Sequence, residues 1–227
     1  RDYHHVFQGF AIKAPPSALA AIKATPGVEG AFVEGRHALV NDIDFWGIQD
    51  GQNSDNAPAM GTASQMTRAN RAALAGEGQV VEVIDTRFDT SHEAFAGTVD
   101  AASLRLTQTD MTALMTDLGA GKNGAWVSDK IPFAYDYADN DANVLPTSTK
   151  DLSHGTHVAG SIAAKHDGVG VDGVNPTLRI AAINVASRNG GFFYPEYIVC
   201  GFVWAADHGI SVTNGSYYVD PWKYWLP

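Results

Sequence analysis

Cysteine is almost missing from this sequence. The 227 residues hold one, Cys200, so no disulfide can form within the chain. That residue is either a small buried hydrophobe or the partner of a cysteine outside these residues. Basic residues are also scarce, with 15 Lys and Arg against 25 Asp and Glu and a net charge of −10. No basic cluster occurs, so a phosphate-binding surface is not expected and nucleic acid is excluded as a partner. No apolar run reaches the roughly 18 residues of a membrane span. The start, Arg1-Asp2-Tyr3-His4-His5, lacks both the charged and the apolar regions of a signal peptide, and it lacks an initiator Met. The natural N-terminus is therefore expected to lie elsewhere. Composition alone does not assign a compartment.

What is present is ordinary globular material. At 45% hydrophobic and 18% charged, the chain can form one large domain or a medium one with a small companion. Alternation over residues 3–12 predicts a strand, and Pro15-Pro16-Ser17 opens a helix that Pro26-Gly27 ends near residue 24. Residues 28–33 and 36–40 read as two short strands joined at Glu34-Gly35. Such an α+β unit is too small to offset its own ordering entropy and is expected to dock on something. Residues 41–63 are polar and linker-like, and a helix over 64–74 follows, capped by Ser64 and closed by Gly76.

Residues 78–85 then form a nearly continuous apolar run ending on Asp85, the pattern of a strand covered on both faces. Residues 88–150 read as irregular, with a helix near 109–118. A glycine-rich turn over 168–176 leads to a buried strand over 178–185. A helix over 194–207 and a strand over 210–214 complete the pattern. Strand, helix, strand, helix, strand predicts an α/β fold with a parallel sheet.

The densest chemistry lies in Asp151-Leu152-Ser153-His154-Gly155-Thr156-His157-Val158-Ala159-Gly160. Glycine in a helix costs about 1 kcal/mol against alanine, so two of them point to close backbone packing. His154 falls on the first turn of that helix. His154 and His157 share a helix face at i, i+3 and have metal-ligand chemistry, yet no third ligand has recognisable spacing. His157 is expected to be a buried, hydrogen-bonded core histidine. Asp85 taken alone is either a strand-end carboxylate capping the next turn or a catalytic group. Asn214 alone could serve turn geometry. The tract Asp139-Asn140-Asp141-Ala142-Asn143 opens like a calcium loop, but Val144 stands where glycine should turn the chain, so a solvated loop is expected.

Taken together, Val83-Ile84-Asp85-Thr86, His154-Gly155-Thr156-His157-Val158-Ala159-Gly160, Gly173-Val174-Asn175-Pro176 and Val212-Thr213-Asn214-Gly215-Ser216 resemble the subtilisin-like serine peptidases. The Asp-before-His order is that family's order. The separation of 69 positions from Asp85 to His154 and the tail through Trp222 are similar to a secreted branch with a longer insert. The resemblance implies a partial subtilisin-like parallel sheet with helices on both faces over 76–227. It also implies a small α+β prodomain remnant of inhibitor type over 1–40 and a linker with the processing region over 41–75. It further implies acyl transfer, with Asp85 and His154 catalytic and Asn214, Gly215 and Ser216 lining the substrate cleft. The implied partners are a peptide or protein substrate and the chain's own prodomain, and the implied location is extracellular. No cofactor is required, and calcium stays open as an accessory ion.

Two departures stand out. The family's Gly-Thr-Ser nucleophile motif and its downstream oxyanion asparagine do not occur in these 227 residues. Losing the nucleophile costs on the order of 10⁶ in rate in subtilisin, so the chain as given is expected to be nearly inert. It then reads either as part of a longer precursor or as a homologue that binds without catalysis. With later strands missing, an exposed sheet edge is expected to make the isolated chain unstable or aggregating. The second departure is Arg87, where the family usually has glycine. If that position needs a positive φ, arginine strains the turn by about 1–2 kcal/mol; the alternative is a rearranged turn, which bears on where Asp85 is placed. Tyr217, Tyr218, Trp222, Tyr224 and Trp225 form either a substrate wall or core surface.

Overall fold

The computed structural model describes residues 2–3, 9–35, 37–38, 67–69, 76–97, 99–115, 123–147, 154–168, 170–187 and 192–217. Their elements are β1 Asp2–Tyr3, β2 Gly9–Phe10, α1 Leu19–Lys23, β3 His37–Ala38, β4 Val80–Asp85, α2 Gln108–Met115, β5 Phe133–Asp136, α3 His154–Ala163, β6 Arg179–Asn184, β7 Phe192–Phe193, α4 Pro195–Asp207 and β8 Val212–Asn214.

Four of the strands form a parallel sheet in the order β5-β6-β4-β8. Its centre is β4, whose six residues are all buried. Valine and isoleucine fit such a two-sided position because their branched side chains pack well on a pleated surface. Side chains alternate between faces. Val80 and Ile84 join Phe133, Tyr135, Ala181 and Ile183 under α4, where Ile198, Trp204 and Ala205 complete one core. Val81 and Val83 join Ala134, Ile180 and Ala182 under α3, where Ala159 and Ala163 complete the other. Burial of each large aliphatic side chain is worth about 1.5–3 kcal/mol, so the sheet is held from both sides.

Close helix approach depends on glycine at two points. A Cβ on Gly155 would lie 2.8 Å from the Thr86 carbonyl oxygen and 2.9 Å from the Phe88 ring. One on Gly201 would lie 2.9 Å from Ile84 Cδ1. On the α4 side Phe133 stacks on Trp204 with centroids 4.0 Å apart. Lys130 donates to the carbonyls of Pro176 and Leu178, both at 2.6 Å, and burial pulls its pKa down to about 8.

The expected α/β architecture with helices on both faces is therefore present, and several local expectations need correction. The strand expected over 3–12 is a folded-back pair, with Asp2 opposite Phe10 and Tyr3 opposite Gly9. Residues 28–35 are not a strand. His37–Ala38 pair with β7 rather than with residues 28–33, because β7 supplies the strand partner that those neighbours do not. The irregular stretch 88–150 contains β5, which pairs with β6 in register from Phe133–Ala181 to Asp136–Asn184. Those four residues are too short a run to carry a readable periodicity. The helix expected over 64–74 falls mostly outside the described residues, and the aromatics Tyr218, Trp222, Tyr224 and Trp225 lie outside them altogether. Cys200 is partly buried against the α4-side core, the small-hydrophobe environment.

Candidate active site

In parallel α/β sheets functional groups gather beyond the carboxyl ends of the strands. Here Asp136, Asn184 and Asp85 stand in register across β5, β6 and β4 at that end. All three are buried. Asp85 closes β4 and points to the α3 face, where His154 opens α3 with its side chain 27% exposed. His154 Nδ1 lies 2.8 Å from Asp85 Oδ1. In the tautomer protonated at Nδ1, the ring donates to the carboxylate and Nε2 carries the lone pair that can accept a proton.

The dyad is framed by the turn after β4. Thr86 N–H donates to Asp85 Oδ1 at 2.6 Å. The Thr86 hydroxyl accepts from Gly155 N at 2.9 Å, and Thr156 Oγ1 accepts from Asp89 N at 2.8 Å. The carboxylate and the imidazole thus sit on segments tied together by polar contacts on either side of the dyad. Asp85 Oδ2 is buried with no hydrogen-bond partner among the described residues.

Asn214, Gly215 and Ser216 leave the end of β8, where Asn214 is opposite Val83 of β4. Ser216 donates to Asn214 Oδ1 at 2.9 Å. Asn214 is half-buried, and Gly215 and Ser216 are exposed, so the structure brings these three to the sheet end that carries Asp85. Tyr217 turns inward and packs on Phe193 with centroids 5.5 Å apart. Its hydroxyl is pushed up in pKa, mostly by burial and then by the charges of Asp85 and Glu82.

The expectation for His157 is corrected, and those for Arg87 and the acidic tract are decided. His157 is exposed rather than buried, because Gly155, Ala159, Gly160 and Ala163 take the buried face of α3. Arg87 keeps a negative φ, since the non-glycine residues with positive φ among those described are Arg68 and Asn140. It therefore carries no left-handed strain. The tract 139–143 is the expected solvated loop, exposed except at half-buried Ala142, while Asp136 just before it is fully buried and Arg87 reaches it. Arg87 Nη2 lies 2.7 Å from Asp139 Oδ2 as a hydrogen bond. It lies 2.9 Å from Asp136 Oδ2 as a charge contact that is off-axis for a hydrogen bond. Nη1 donates to the Asn143 carbonyl at 2.9 Å. Burial raises the Asp136 pKa, opposed by the Asp139 N–H, the Asn184 side chain and the Arg87 charge.

Sequence reasoning missed the Thr86 hydroxyl and this Arg87 contact. Thr86 had a signal in its position directly after a strand-end carboxylate, whereas nothing local pairs Arg87 with groups 52 and 56 residues away. A groove of about 610 Å³ over Leu19, Lys23 and residues 29–33 contains none of the expected site residues.

Residues 76–220 match the family model described as Subtilase family. The chain is 27% identical over 197 residues to Fervidolysin of Fervidobacterium pennivorans, covering 85% of this chain and 22% of that protein. It is 37% identical over 118 residues to a PII-type proteinase of Lacticaseibacillus paracasei, covering 50% and 6% respectively. It is 27% identical over 227 residues to the Minor extracellular protease Vpr of Bacillus subtilis (strain 168), covering 94% and 23%. The chain thus spans less than a quarter of the length of each of these relatives.

Proposed function

The chain belongs to the subtilase family, and from that premise we propose that it carries the aspartate and histidine of a secreted serine endopeptidase. The observation that carries this reading is the 2.8 Å contact between Asp85 Oδ1 and His154 Nδ1 at the carboxyl end of the sheet. His154 takes the proton of a serine hydroxyl as that oxygen attacks the scissile carbonyl, then returns it to the leaving amine. Asp85 holds the ring in the Nδ1–H tautomer and stabilises the imidazolium. Backbone donors near the nucleophile would stabilise the oxyanion, and this chemistry calls for no cofactor.

The substrate is an extended peptide that pairs with the enzyme's backbone, along β7 and beside Asn214, Gly215 and Ser216. In support, β3 already lies antiparallel on β7, with His37 opposite Phe193 and Ala38 opposite Phe192. Glu34 Oε1 accepts from Glu196 N at 2.6 Å, at the first turn of α4, where a carboxylate also favours the helix dipole. We read residues 1–40 as the chain's own prodomain, its last segment lying along the substrate edge. The relative named as an extracellular protease supports a secreted location.

No Gly-Thr-Ser motif occurs in the 227 residues, which favours a second reading of the chain on its own: a peptide-holding subtilase domain without catalysis. Active-site labelling separates the two. The gene product that contains these residues should react with a fluorophosphonate, and His154→Ala should abolish that reaction. The 227 residues alone should not label. A gene product that neither labels nor cleaves protein would leave the binding reading standing and remove the peptidase one.

A further inference from the structure

The residue two places beyond Asp85 is where the family pattern expects glycine, and here it is a buried arginine, 3% exposed. A buried guanidinium needs partners, because taking its charge out of water costs several kcal/mol without them. Arg87 finds them across β6. Its fork reaches Asp136 at the end of β5, Asp139 and the Asn143 carbonyl, so it ties the end of β4 to the end of β5 over the strand between them.

This contact bears on the dyad because of what else holds the turn. Thr86 and Asp89 fasten it to α3 on one side. On the other side Phe88 N–H donates to the Val144 carbonyl at 2.9 Å, and Arg87 adds its own contacts to the same segment. The loop itself is built to receive the guanidinium. Asp136 Oδ1 accepts from the N–H groups of Ala138 and Asp139, each at 2.9 Å, which leaves Oδ2 turned toward Arg87. Asp136 and Asp141 also exchange backbone hydrogen bonds at 2.7 and 3.1 Å. Asp85 is therefore the end of a strand clamped between a helix and an ion-paired loop.

We propose that Arg87 is a positioning residue: its buried guanidinium, clasped by Asp136, Asp139 and Asn143, fixes the turn that aims the Asp85 carboxylate at His154. The inference rests on the dyad reading above. A role confined to loop stability would lower the melting temperature and leave the Asp85–His154 bond as it is. A positioning role changes that bond while the chain is still folded.

The test follows the exchange of the His154 Nδ1–H proton by NMR in the gene product that contains these residues, labelled with ¹⁵N-histidine, each variant held well below its own melting temperature. The signal is assigned by its loss in His154→Ala and Asp85→Asn. Arg87→Met should speed exchange about tenfold or more, Arg87→Lys should restore part of the protection with a single point charge, and Asp139→Asn should give a smaller increase. Asp139 contributes one arm and its side chain is 29% exposed, so its variant keeps the test decisive if Arg87→Met does not fold. Parent-like exchange in Asp139→Asn together with parent-like exchange in the folded Arg87 variants would overturn the positioning role and leave the dyad reading intact. A parent chain with no Asp85-dependent Nδ1–H signal would overturn both.

Discussion

Glu82 offers the sharpest test of the energetics. It sits in the middle of β4, opposite Ala181 and Thr213, fully buried on the α4 side between Val80 and Ile84. Neither carboxyl oxygen has a hydrogen-bond partner among the described residues, and burial raises its pKa well above the ordinary carboxylate range. Valine suits the site in strand preference and leaves no polar atom to satisfy. At low pH, where the carboxyl is neutral in both folded and unfolded chains, Glu82→Val removes only an unpaired buried polar group, worth roughly 1–3 kcal/mol. The sign with pH follows from linkage. Above the unfolded pKa of about 4.3, the unfolded chain releases the proton while the folded one keeps it. Stability of the parent therefore falls as pH rises toward the raised native pKa, by up to about 1.4 kcal/mol per pH unit from this group. Urea unfolding of both proteins at three pH values, spanning from near that unfolded pKa to above neutrality and followed by tryptophan fluorescence, measures the difference directly. We expect the valine variant to have the higher midpoint, with a gap that widens as pH rises and an unchanged denaturant slope. A less stable valine variant, or a gap that stays flat with pH, would refute the reasoning.

Other outcomes follow from the same geometry. Gly155→Ala puts a methyl group against the Thr86 carbonyl and the Phe88 ring and should destabilise the fold by about 1–3 kcal/mol, read as a lowered unfolding midpoint. Thr86→Val leaves Gly155 N–H without its acceptor and should cost about 1–3 kcal/mol; an unchanged midpoint would show that the bond contributes nothing. In a gene product that carries the nucleophile, Asp85→Asn should lower kcat by about 10⁴-fold, the magnitude seen for triad carboxylates in serine peptidases. Steady-state hydrolysis of a peptide substrate measures it. Glu34→Ala removes the acceptor at the start of α4 and should cost about 0.5–2 kcal/mol, read as faster limited proteolysis between residues 28 and 38.

The sheet's central strand was legible because β4 is nearly continuous in apolar residues and ends on a carboxylate, the pattern that burial on both faces demands. The helix of His154 was legible through its glycines and small residues, which make sense against a close backbone. β5 was not legible. Its four residues become a strand because β6 supplies their hydrogen bonds, and no local periodicity encodes that. The same holds for β3, whose two residues find β7 rather than their neighbours in sequence. His157 was misread because the i, i+3 relation to His154 says nothing about which face of the helix meets the sheet.

The order of residue types along the chain determined the parallel α/β class, the strand that ends on Asp85 and the helix that opens on His154. Only the folded structure decided that these two meet at 2.8 Å, that Glu82 is sealed without a hydrogen-bond partner among the described residues, and that Arg87 spans to Asp136. Each of those depends on how strands align across the sheet. Pairing between distant segments is set by mutual burial and hydrogen bonding in three dimensions, which no local pattern contains.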